Sequence, residues 1–421
     1  MSIIVSEFPA RIIKLDNGLT VIHQYISATP VVVVDVWVKA GARQEPDSWS
    51  GMAHFLEHMI FKGTKKLGPG IFDQIIENRG GISNAATSHD YAHFFITTAA
   101  KYIEEIVPAL AELLLQASIP ASEFVTEREV VLEEIRQSQD SPDDLGFQAL
   151  MKNVYQDHPY GRSVMGKEAL LREREVDEMR CFHRYHYQPE NMAVVIVGGV
   201  EQTPVIELVS KAFEQFAEKC CDCPQVEIKA KALITEVRRQ EIHLLRLEQG
   251  RLTMAWIGPG VEKLDDTYGL DLLSVLLAEG RSSRLVRELR EDLGLVQGIG
   301  SDFFLQQDSS LFTISAILDP KDIPEVEARI CDHLHNLLKF KVSEVELARC
   351  KRLLCNDYAF ATESPGQLAG LYGYYFTLVN PEVAVTYPQK VARFQSNELL
   401  NLAEKYLSPN RYAATILIPS V

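Results

Sequence analysis

Nowhere in the 421 residues is there an apolar run approaching the roughly 20 residues that a membrane span needs. The segment from Met1 to Pro9 has no basic stretch leading into an apolar core and no Arg-rich amphipathic pattern, so no leader and no membrane span are expected. Cations are the scarcer charge: 42 Lys and Arg against 58 Asp and Glu leave a formal charge of −16. That balance argues against a nucleic-acid partner and favours neutral or basic ligands through long-range attraction. Cysteine is sparse as well, seven in number and scattered, which argues against a disulfide framework and points to a reducing, cytoplasmic compartment. Cys220-x-x-Cys223 has no second cysteine pair nearby to complete four zinc ligands and reads as a linker with incidental thiols, among them Cys221.

With 46% apolar residues the chain has the make-up of a globular protein, and 421 residues exceed one ordinary core. Two domains are expected, 1–218 and 233–421, joined by a linker over 219–232, where a helical pattern ends, Pro224 enters and the periodicity resets. The halves look like distant repeats. Tyr187-Gln188-Pro189-Glu190-Asn191 followed by an apolar run is echoed by Tyr406-Leu407-Ser408-Pro409-Asn410, and Val36-Trp37-Val38 by Ala255-Trp256-Ile257. Strands followed by runs of helices in each half predict an α+β fold, with helices packed on one face of a mostly antiparallel sheet.

The chain's most informative segment is Gly51 to Thr64, which contains His54-Phe55-Leu56-Glu57-His58. On a helix His54 and His58 stand one turn apart, with Glu57 in the same narrow arc. Met52, Phe55, Leu56, Met59 and Ile60 form the opposite, apolar face, so the segment predicts a helix seated on a core. Two imidazoles and a carboxylate in this order read as an inverted zinc-protease motif, with Glu57 the candidate general base. A catalytic zinc needs a third protein ligand.

Ser122 to Gln139 reads as a second helix, and Glu123, Glu127, Glu129, Glu133 and Glu134 all compete for that place. Glu127 and Glu134 lie two turns apart on a face shared with Val130 and Val131, a setting that draws one or both carboxylates towards a cation inside the fold. Here the sequence resembles the pitrilysin, insulysin and mitochondrial processing peptidase family, in which His-x-x-Glu-His is joined by a glutamate some 75 residues downstream. Glu134 matches that spacing. The resemblance implies one zinc ion per chain held by His54, His58 and Glu134, Glu57 as base, and Glu127 as a supporting acid behind the ligands. It also implies that Ser83-Asn84-Ala85-Ala86-Thr87 is the edge strand along which an extended peptide pairs, with Asn84, Ala85, Ala86 and Thr87 as substrate contacts.

The other histidines carry weaker readings. His89 and His93 lie on a segment that reads as strand, where four residues span about 13 Å and joint metal ligation is precluded. His183 and His186 read as structural or surface residues. In the second half, Gly280 to Glu291 resembles a family segment ending in a substrate-binding arginine, matched by Arg290. The tyrosine that follows seven residues later in the family is Gln297 here. Family members of this length work as dimers. The resemblance therefore implies a zinc-bearing subunit of a heterodimer with a related chain lacking the zinc motif, or a homodimer, acting on peptides as an endopeptidase. The rival expectation is a non-proteolytic assembly subunit with a structural metal.

Overall fold

The structure is a computed structural model that describes residues 8–224, 226, 232–245 and 247–420. The chain divides into two compact units, one of Met1–Gln137, Arg162–Ile228 and Ala361–Val385, the other of Ser138–Gly161, Lys229–Phe360 and Thr386–Val421. The expected division into 1–218, 219–232 and 233–421 is contiguous, and these units are not: two segments belong with the sheet coded by the opposite half. Part of the expected linker, residues 225 and 227–231, lies outside the described residues.

The first unit is built on six strands, β1 (Arg11–Lys14), β2 (Thr20–Tyr25), β3 (Val31–Val38), β4 (Ile82–Thr87), β5 (Ala92–Ala99) and β6 (Met192–Gly198), ordered β1-β2-β6-β3-β5-β4. All neighbours are antiparallel except β2 and β6. The run Val31-Val32-Val33-Val34 opens β3, which lies inside the sheet and is buried on both faces, as such a β-branched run requires. Val32, Val34, Val36 and Val38 face a helical layer that includes Met52–Ile60 and Ile103–Leu115. Val33 and Trp37 face the helix Pro365–Leu378 on the other side. Gly373 of that helix lies so close that a Cβ would stand 2.0 Å from the Trp37 indole nitrogen, which is why a glycine is needed there.

The second unit carries β7 (Arg238–Leu244), β8 (Gly250–Pro259), β9 (Val296–Leu305), β10 (Ser309–Leu318) and β11 (Ala413–Pro419), ordered β7-β11-β8-β10-β9. Again one pair is parallel, β7 with β11. Matched strand for strand, this order repeats β2-β6-β3-β5-β4, so the echoes in sequence correspond to one topology used twice. Helices Leu264–Ala278, Ile323–Lys339 and Glu344–Phe360 share one core on one sheet face. Leu150 and Val154 of the helix Pro142–Tyr155 pack with Ala255, Leu311 and Ala413 of the other. The helices-on-one-face layer therefore stands in each unit, with helical residues also packed on the opposite face.

Cysteine usage needs correcting. Cys181, on the helix Val176–His186, is disulfide-bonded to Cys220, 39 residues away. Cys223 is buried and Cys221 exposed. A bond between residues this far apart leaves no local spacing to read, and it removes the argument from cysteine count for a reducing compartment. Among the described residues no helix is long and apolar enough to cross a membrane.

Candidate metal centre

The motif helix Met52–Ile60 is held at its start by a side chain from outside it. Gly51, with φ 96°, turns the chain into the helix, and the Glu45 carboxylate accepts from Gly51 N at 2.9 Å and Ala53 N at 2.7 Å. Both backbone donors belong to the group that a helix N-terminus leaves unpaired. Glu45 has no exposed surface, and burial pushes it up to about 8 against the pull of the two N–H groups and Arg162. Met52, Phe55, Leu56, Met59 and Ile60 are buried, as the apolar stripe predicts, and this fixes the direction of the polar stripe.

His54, His58 and Glu134 converge, with one ligand atom from each lying within 4.8 Å of the others. The Glu134 Oε2 stands 3.4 Å from His58 Nε2 and 3.8 Å from His54 Nε2. Glu127 faces the back of the site: its Oε1 is 3.0 Å from His58 Nδ1 and its Oε2 2.5 Å from Lys62 Nζ. Burial raises the Glu127 pKa, but Lys62 and His58 outweigh it and hold the carboxyl below its ordinary value. With Nδ1 of His58 engaged by Glu127, Nε2 is left for the centre. His54 is pushed down to about 4, first by burial and then by His58, so its imidazole is neutral and its lone pair available. The expected face of the second helix splits, with Val131 buried and Val130 43% exposed.

Glu57 projects beside this group and is fixed by β4, where Thr87 Oγ1 donates to its Oε2 at 2.5 Å. Burial raises its pKa, partly offset by Thr87, His58 and His93. Thr87 is thus turned to the carboxylate. Of the other strand residues, Asn84 and Ala86 are exposed, and Ala85 packs against the helical core. The Asn84 Oδ1 accepts from Ala85 N, and β4 is the last strand of its sheet. Arg290 belongs to the second unit, on a π-helical stretch over Val286–Asp292, half-exposed and 4.0 Å from Glu291. Gln297 is exposed at the start of β9.

Glu45, Lys62 and the role of Thr87 were missed from sequence. Lys62 carried a usable signal, since it follows His58 by four residues just past the end of the helix, the spacing at which side chains one turn apart meet. Glu45 and Thr87 carried none, because their partners are reached through loops and strand pairing.

Residues 20–168 match the profile described as Insulinase (Peptidase family M16), and residues 175–354 that described as Peptidase M16 inactive domain. Zinc protease PqqE of Helicobacter pylori is 31% identical over 415 residues, 97% of this chain and 92% of that protein. The chain belongs to peptidase family M16. Another M16 relative, the uncharacterized zinc protease YmxG of Bacillus subtilis, is 27% identical over 83% of each chain. A crystal structure of a protease from Helicobacter pylori superposes with TM-score 0.89 at 30% identity, covering 97% of this chain and 99% of that one. The fold is also that of the Escherichia coli periplasmic protease PqqL, with TM-score 0.82 at 17% identity, 98% of this chain lying on 48% of that one. Among the described residues His54, His58 and Glu134 are the one group able to hold a metal, and all lie in the first unit.

Proposed function

We propose that this chain is a zinc endopeptidase that cleaves extended peptides or unfolded segments. The observation that carries the reading is the convergence of His54, His58 and Glu134 beside a carboxylate, Glu57, which sits next to the ligands without belonging to them. The donor set fits zinc: two imidazoles and a carboxylate, with His58 already oriented from behind by Glu127. Zinc held by those three side chains would supply Lewis acidity, which activates water and polarises a peptide carbonyl.

The remaining work falls to the chain itself. Glu57 takes the proton from the attacking water and passes it to the leaving amine, a task suited to a carboxyl whose proton affinity burial has raised. Thr87 holds Glu57 in place, and Lys62 keeps Glu127 ionised so that it accepts from His58. The outer edge of β4, through Asn84, Ala85 and Ala86, is the edge to which a peptide adds as a further strand, a mode that selects unstructured segments. Arg290 is proposed as a substrate contact from the second unit. A dimer with a related metal-free chain is the proposed assembly, with a homodimer as the alternative. The Cys181–Cys220 bond favours an oxidising compartment over the expected cytoplasmic one. A non-proteolytic assembly role is disfavoured because a structural zinc has no use for a spare base.

The test is hydrolysis of a mixed pool of unstructured peptides by the zinc-loaded chain. Glu57→Gln is expected to keep one zinc per chain and lose cleavage; undiminished cleavage by that variant removes Glu57 from the mechanism. Cleavage by the chain alone would favour the homodimer. None, with zinc bound, would point to a required partner.

A further inference from the structure

On the sheet face opposite the motif helix, one polar pair has no role in the site described above. Asp35 of β3 is 2% exposed, and His93 of β5 stands over it with Nδ1 3.1 Å from Oδ1. The imidazole stacks on Trp37 at 4.2 Å and on Phe95 at 5.5 Å. Its side chain keeps 17% of its surface exposed, and Nε2 has no hydrogen-bond partner among the described residues. The Trp37 indole N–H, buried without a hydrogen bond of its own, also acts on the Asp35 carboxyl.

Desolvation raises the pKa of the Asp35 carboxyl, against the hydrogen bonds from His93 and Trp37. With Nδ1 committed to Asp35, Nε2 is the ring nitrogen left facing outward, and an acceptor oxygen brought to it selects the form of the ring that carries hydrogen there.

The position of that donor matters. Ala86 of β4 lies directly opposite His93 in the sheet register, and Thr87, the next residue, holds Glu57. His93 also acts on the charge of Glu57. The helix Pro365–Leu378 packs over β3 and β6, while Asn84 and Ala86 on the same face of β4 are exposed. A peptide added outside β4 would lie about 9.6 Å from β5, two strand spacings. The Ala86 methyl is too small to block a side chain reaching across that gap.

We propose that His93, set by Asp35, is a specificity residue whose Nε2–H donates to the side-chain oxygen of a glutamate or glutamine in the peptide paired along β4. This rests on the endopeptidase reading for the path of the peptide, and it names a substrate preference that reading leaves open. The reach favours glutamate and glutamine over the shorter aspartate and asparagine, and charge assistance favours glutamate over glutamine.

The experiment uses the zinc-loaded Glu57→Gln chain, so that binding is read without cleavage. Labelled unstructured peptides carry a single Glu, Gln or Ala at successive positions, and fluorescence anisotropy gives the affinity ratios. One position is expected to favour Glu over Ala by about 10-fold. Adding His93→Phe, which keeps the ring stack and removes the donor, should bring that ratio to about one, and His93→Gln, which restores an N–H, should recover part of it. A ratio unchanged by His93→Phe, or no preference at any position, overturns the proposal. Should His93→Phe fail to fold by circular dichroism, the pair Asp35→Val with His93→Phe removes both polar groups and answers the same question. Hydrolysis by the unsubstituted chain is followed in parallel. A His93-dependent binding preference without hydrolysis, whether by the chain alone or with a partner chain, would sink the peptidase reading and leave the subsite standing, whereas hydrolysis without the preference would sink the subsite alone.

Discussion

Glu127 touches no substrate in the proposed scheme, yet its replacement should be felt directly in metal affinity. Its carboxylate joins His58 Nδ1 at 3.0 Å to Lys62 Nζ at 2.5 Å, and its side chain is only 9% exposed. In Glu127→Gln the amide oxygen can still accept from His58, but the amide nitrogen is then turned towards the Lys62 ammonium, donor against donor. The imidazole loses a negatively charged partner and sits beside a lysine that is no longer neutralised. Loss of such a support typically weakens a metal site 10–100-fold, which is about 1.4–2.7 kcal/mol. Lys62→Ala leaves the His58–Glu127 contact intact and should cost less than about 10-fold. Two readouts check this without relying on peptide cleavage. Competition with a chromogenic chelator gives the zinc affinity, and the zinc-dependent rise in thermal stability should shrink by the same free energy. Affinity within twofold of the parent in Glu127→Gln, in a series where Glu134→Gln loses zinc, would refute the argument that His58 is oriented and charged from behind.

Three other outcomes are expected. Glu45→Ala strands the N–H groups of Gly51 and Ala53 in a buried setting, so the first unit should lose about 2–4 kcal/mol and melt roughly 5–15 °C lower; an unchanged melting curve would deny Glu45 its hold on the motif helix. Asp271, in the second unit, is pushed up to about 6, mainly by burial and further by Asp357, against the hydrogen bond from Tyr387. An acid whose pKa is higher folded than unfolded stabilises at low pH and loses that stabilisation as pH rises, here between about 4 and 6. The parent should therefore lose about 3 kcal/mol relative to Asp271→Asn across that window, measured by denaturant unfolding, and parallel pH profiles would contradict the assignment. Thiol counting on the denatured, unreduced chain should return five groups, rising to seven after reduction; seven at the outset would mean that Cys181 and Cys220 stay reduced.

What could be read in the sequence follows the range over which each signal acts. The motif helix was legible because its apolar and polar stripes are both local, and Met52, Phe55, Leu56, Met59 and Ile60 are buried as their spacing requires. The repeated topology was legible because the matching segments in each half form, or lead into, interior strands of its sheet. Glu134 could be chosen among five glutamates only by resemblance, since helical periodicity alone left Glu127 equally placed. Contacts made across the sheet were invisible. Thr87 meets Glu57 only because β4 pairs with β5 beside the motif helix, and the Cys181–Cys220 bond spans 39 residues. The helix Pro142–Tyr155 has a legible start, with Ser141 as cap and Pro142 behind it, but nothing local says that its apolar side belongs to the second unit's sheet.

The histidine reading shows how a correct exclusion can conceal a function. His89 and His93 were set aside as joint metal ligands because a strand separates them by too great a distance, and they do part: His89 meets the carbonyl of Arg162, His93 meets Asp35. The same alternation that separates them places His93, Phe95 and Trp37 on one face and Ala92, Phe94 and Ile96 on the other. Asp35 then takes up Nδ1 and leaves Nε2 as the nitrogen that the imidazole can offer. The partner of Nδ1 thus decides which ring atom faces outward, so that a residue unsuited to joint metal ligation is a candidate for peptide recognition, and the pairing of β3 with β5 is what brings Asp35 and His93 together.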